Sequence, residues 1–178
     1  MNISPHLCFD GQCRAAFATY QQILGGTIQT MLTYGESPMS AQVACQCHDR
    51  IVHASLQFGD IELAGVDLLP SEYRKPQGFS VLLSIEGTAR AGQVLALLAD
   101  GGEIRLPFQP TFWSPGFGVV VDRFAIPWEV SSFEPAISAN PDVSNRALAT
   151  HFQSDRPRRG DADRGRSSSQ ETKKLWDL

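Results

Sequence analysis

Hydrophobic and polar positions alternate through residues 3–9. Ser4, His6 and Cys8 fall on one side and Leu7 and Phe9 on the other, the period of a half-buried strand. Phe17, Tyr20, Ile23 and Leu24 then recur at helical spacing, and Asp10 stands where it can cap that helix. Gly25-Gly26 stops it, because glycine tolerates the left-handed conformation that closes a helix. Residues 27–34, rich in Thr, Ile, Met and Tyr, predict a second strand. A polar loop at 35–49 leads to strands at 51–58 and 61–67, joined by a turn at Gly59-Asp60.

The pattern then returns. Residues 79–85 predict a strand and 89–99 a helix with Val94, Leu95, Leu97 and Leu98 on its buried stripe. Gly101-Gly102 ends that helix, and strands follow at 103–108, 118–121 and 126–130. The two Gly-Gly stops begin 76 residues apart, and the same offset carries Ser4 to Ser80, Leu7 to Leu83 and Ile28 to Ile104. This spacing predicts duplication, in an α+β chain of two βαβββ modules at about 1–68 and 78–132. Each module would bury one sheet face against its helix and leave the other free to pair around a cleft.

The stretch 111–130, TFWSPGFGVVVDRFAIPWEV, organises the second module. Gly116 and Gly118 let the backbone bend beside Phe112, Trp113 and Phe117. Val119, Val120 and Val121 form a β-branched run, which predicts a strand covered on both faces. Asp122-Arg123 turns the chain into the last strand, where Glu129 is the lone carboxylate.

Composition changes this picture at the C-terminus. Hydrophobic residues make up 42% of the 178, enough for a core but diluted by one segment. Residues 156–169, RPRRGDADRGRSSS, mix charge with Gly and Ser and lack any period, so 133–178 is expected to be a largely disordered tail, with a short helix at 143–152. Residues 1–133 hold 7 Lys+Arg against 12 Asp+Glu, and such an acidic body argues against nucleic acid as a partner. No apolar run reaches the roughly 18 residues that cross a bilayer, and the N-terminus lacks the plan of a signal peptide. A cytoplasmic protein with reduced Cys8, Cys13, Cys45 and Cys47 is expected.

Glu62 and Glu129 are the candidate catalytic residues, because each interrupts an otherwise apolar strand. A buried carboxylate is costly unless something compensates it. The two are therefore expected to face one cavity with His6 or His53 close by, where a dry carboxylate would serve as a general base. The plainer reading is two strand-end carboxylates, solvated or paired with Arg. His6 shares a polar strand face with Ser4, as a cavity wall would. His53 has the opposite parity to Val52, Ala54 and Leu56, which suits either a hydrogen-bonded strand histidine or a ligand contact. Most of Phe108, Phe112, Trp113, Phe117 and Trp128 belong to the core, with Phe112, Trp113 and Trp128 the candidates to line an apolar pocket. Cys45-Gln46-Cys47-His48 looks like a metal knuckle but lacks a second pair at zinc spacing.

Taken together, SPHLCFDG, FATYQQILGG, YGESPMS, IVHASLQFGD and TFWSPGFGVVVDRFAIPW resemble the PhnB-like family of the vicinal oxygen chelate superfamily, relatives of glyoxalase I and bleomycin-resistance proteins. The resemblance covers residues 1–132. It implies two βαβββ modules whose sheets enclose a small-molecule cavity, commonly in a homodimer. Metal-binding members hold the ion with one side chain from the first and last strand of each module, positions that match Ser4, Glu62, Ser80 and Glu129 here. The glyoxalase pattern has His at the first and third, so this chain keeps both carboxylates and replaces both histidines by serine. A divalent metal (Zn, Ni, Mn or Fe) at that site would need His6 or His53 to substitute. Glu129 stands where relatives often carry Met, and Ala125 where glycine is usual. Some relatives bear a methyltransferase label, but no glycine-rich turn suited to S-adenosylmethionine is present.

Two readings stay open. One is a metal-free binding protein for a small-molecule ligand, homodimeric and without nucleic-acid or membrane partners. The other is a divalent-metal-dependent lyase or isomerase of glyoxalase type, acting on a substrate with adjacent oxygens.

Overall fold

A computed structural model describes residues 3–135; the expected tail and its short helix lie outside them. In the first module β1 (His6–Phe9), α1 (Cys13–Leu24), β2 (Thr27–Thr33), β3 (Ile51–Phe58) and β4 (Ile61–Asp67) follow in chain order, and the sheet runs β1-β4-β3-β2. The second repeats it with β5 (Val81–Glu86), α2 (Thr88–Leu98), β6 (Glu103–Gln109), β7 (Phe117–Val121) and β8 (Pro127–Phe133), in the order β5-β8-β7-β6. In each sheet the first strand lies parallel to the last and the other pairs are antiparallel. These are two βαβββ modules, as the repeat predicts. The polar loop between β2 and β3 contains 3-10 turns at Ser40–Gln42 and Cys45–Cys47.

Strand alternation gives each sheet a helix face and an opposite face. Leu7, Phe9, Leu63 and Leu56 pack on α1 through Phe17, Tyr20 and Ile23, while Val120, Trp128 and Val130 join the same core with Val94 and Leu95 of α2. Gly65 permits α1 to approach closely: a Cβ there would lie 2.4 Å from the Phe17 ring. Three expectations are corrected. Asp10 does not cap α1 but pairs with Arg50 at 3.0 Å, and the cap comes from Asp67, whose carboxylate accepts from the Cys13 backbone N–H at 2.9 Å. Leu97 stands off the α2 stripe and is 50% exposed, its place taken by Ala91. Val119 and Val121 are half-buried, because α2 packs on the other side of β7.

The modules are joined at a buried carboxylate. Asp122 accepts from the Tyr20 hydroxyl at 2.6 Å, the Trp128 indole N–H at 2.9 Å, and the backbone N–H groups of Phe124 and Ile126 at 2.8 and 2.9 Å. Tyr20 therefore ties α1 of the first module to the β7–β8 turn of the second. Burial first, and then the Asp122 carboxylate, push its hydroxyl far above the ordinary phenol range, so it remains a donor.

Candidate functional site

Away from α1, the first sheet presents Ser4, His6, Glu62 and His53. His6 pairs with Ala64, and the Ala64 N–H donates to the Pro5 carbonyl at 3.0 Å, so Ser4 runs beside Glu62 on the parallel ladder. Gln57 of β3 flanks Glu62 on its other side. His53 is exposed and four residues along β3 from Gln57. At ~3.3 Å per residue that places it about 13 Å from the Glu62 row. His6 is a diagonal neighbour of Glu62, and His53 is not.

On the second sheet, the Ser80 hydroxyl donates to Glu129 Oε1 at 2.6 Å. Glu129 lies between Leu82 of β5 and Val119 of β7. Phe112 and Trp113 occupy the β6–β7 connection, their rings 4.4 Å apart, and Trp113 covers Phe117 at 5.5 Å. Trp128 is on the opposite face of β8 from Glu129, buried against Tyr20 at 5.1 Å.

The serines are equivalent under the 76-residue offset, but the glutamates are not. Leu7 pairs with Gly65 and its counterpart Leu83 with Val130, so Ala64 occupies the place of Glu129 in the first module. The connections between β2 and β4 and between β6 and β8 differ in length, so a fixed offset does not carry to the last strands. Among the described residues no three His, Cys, Asp or Glu side chains come close enough to hold a metal ion. Glu62, Glu129, His6 and His53 are thus not gathered into one such group, nor are Cys45, Cys47 and His48.

A cleft of about 510 Å³ lies between the modules. Leu24, Phe58 and Leu63 line it from the first, and Leu83, Val94 and Trp128 from the second. Its polar groups are Glu62, Ser84 and Arg90. The Arg90 guanidinium is held at the C-terminal end of α1, where Nη2 donates to the Ile23 carbonyl at 3.2 Å. Neither Glu62 nor Arg90 forms an ion pair among the described residues. Sequence reasoning missed Arg90, because a charge in the first turn of an amphipathic helix looks like part of its solvated face. Of the expected site residues, Glu62 and Trp128 line the cleft, while Glu129 is one strand away beside Leu82.

No family model matches the chain. Protein YjdN of Escherichia coli (strain K12) is 32% identical over 139 residues, spanning 74% of this chain and 95% of that protein. The crystal structure of protein PA1353 from Pseudomonas aeruginosa is 38% identical, covers 75% of this chain and 98% of that one, and superposes with a TM-score of 0.70. A Bacillus cereus structure described as a PhnB protein shares the fold at 19% identity, with a TM-score of 0.63 over 75% of this chain and all of that one (100%).

Proposed function

Because this chain belongs to the PhnB-like family of the vicinal oxygen chelate superfamily, we propose that it binds a small molecule in the cleft between its two modules. The observation that carries this reading is the cleft itself. Its volume of about 510 Å³ and its wall of leucine, valine and aromatic side chains with three polar groups are those of a ligand pocket. Binding is favoured over metal-assisted lyase or isomerase chemistry because the donors for an ion do not converge among the described residues. Glu62 is then a ligand contact at the wall, and the Ser80–Glu129 pair sits beyond Leu82 on the adjoining sheet face.

The dye 8-anilinonaphthalene-1-sulfonate tests the site. Its fluorescence rises on binding to the wild-type protein, and Leu83→Trp, which fills the cleft, abolishes the rise. Phe112→Ala, on the exposed connection, leaves it unchanged. A rise that survives Leu83→Trp and is lost in Phe112→Ala moves the ligand to the aromatic connection and overturns the proposal.

We also propose a homodimer. β1 and β5 are edge strands, and Ile61 and Leu82 beside them are 65% and 56% exposed, a combination that a second copy would cover. Among the described residues no helix is long and apolar enough to cross a membrane. All four cysteines are free thiols, which suits a reducing compartment, and we place the protein in the cytoplasm.

A further inference from the structure

We propose that the ligand of the cleft is an amphipathic monoanion, with an apolar body and a single carboxylate at one end, selected by Arg90 and policed by Glu62. This rests on the cleft being the ligand site and adds what the site prefers. The two charges enter from different sides of the first module. Arg90 reaches its helix side, where it bonds the Ile23 carbonyl at 3.2 Å next to Leu24. Glu62 leaves β4 on the opposite side from the buried Leu63. Between them the wall is apolar, formed by Phe58, Leu63, Leu83 and Trp128.

One contact to Ile23 leaves the guanidinium with further donors in a fork that suits a carboxylate. Arg90 is exposed at the rim of the cleft, so water competes for that contact and its strength is that of a surface ion pair. The body of the ligand would replace water along the leucines, which favours a chain or ring over a small polar acid. A second carboxylate at the far end would meet Glu62, and like charges brought together in a partly dry site repel. The cleft should therefore take a monocarboxylate and reject a dicarboxylate of the same length.

Displacement of 8-anilinonaphthalene-1-sulfonate by octanoate, octanol and octanedioate decides the matter. In the wild-type protein octanoate displaces the dye roughly 3-fold more tightly than octanol, within the range of an exposed ion pair. Octanedioate is weaker than octanoate by a similar factor. Arg90→Gln brings octanoate down to the level of octanol, and Glu62→Gln brings octanedioate up towards octanoate. Octanol binding retained in each variant shows that the fold is intact; should Arg90→Gln fail to fold, the wild-type ranking of the three probes decides alone. Octanol and octanoate binding equally overturns the acid preference while leaving the cleft as the site. Dye that binds but yields to none of the three overturns both.

Discussion

A single side chain, Asp122, carries more of this structure than any motif. Four donors converge on its carboxylate, which forms no ion pair among the described residues, so hydrogen bonds compensate its burial. Tyr20→Phe removes one donor without opening a cavity. A loss of about 1–2 kcal/mol is expected, read from the midpoint of urea unfolding. No measurable loss would show that water replaces the hydroxyl. Three residues on, Ala125 is the only described non-glycine residue in the left-handed region, at φ 67°. Its N–H closes the turn onto the Asp122 carbonyl at 2.9 Å. That conformation costs a residue with a Cβ about 1–2 kcal/mol, against ~0.5–1 kcal/mol for the extra freedom of unfolded glycine. Ala125→Gly should therefore stabilise the protein by up to about 1 kcal/mol, seen as a raised melting temperature, whereas destabilisation would mean the turn carries no strain.

Among elements, α1 depends on a residue far from it in sequence. Asp67, at the end of β4, accepts from the first helical N–H at Cys13 and from the first strand N–H of β3 at Ile51, both at 2.9 Å. One carboxylate thereby fixes a helix start and a strand start at a common point. Burial, and then the same carboxylate, push the Cys13 thiol well above its ordinary range, so this cysteine is inert packing rather than a nucleophile. Asp67→Ala leaves two buried N–H groups without partners and should cost about 2–3 kcal/mol. Hydrogen exchange should accelerate at Cys13 and Ile51 before it does in the second module. Uniform acceleration through both modules would show instead that α1 has no separate stability.

At the scale of the whole molecule, two sheets share one core, and the side of each sheet away from the helices has no described covering layer. Sedimentation at tens of micromolar, a concentration typical of specific association, should give a dimer. Leu82→Asp, which puts a charge among the exposed apolar side chains, should shift it to a monomer that still unfolds cooperatively. A wild-type monomer would leave the exposed Ile61 and Leu82 as cleft surroundings only.

The element order was determined by sequence alone, because the period of hydrophobic positions is a local property. β3 and β4 fall where alternation places them, and the Gly-Gly stops announce both helices. The duplication was equally plain, since both first strands and both helices repeat at one offset. What local pattern left undecided was the register of Glu62 and Glu129, which depends on connection lengths and strand pairing. Asp122 looked like a turn residue and Asp10 like a cap. Neither full role follows from neighbours in sequence, because Tyr20, which ties Asp122 to the first module, and Arg50, the partner of Asp10, come from elsewhere in the chain. A cleft was expected, but its lining by Leu24 of α1 and by Val94 and Arg90 of α2 was not legible for the same reason. A cavity exists only where two modules fail to fill the space between them, and that is decided by how the helices and sheets pack.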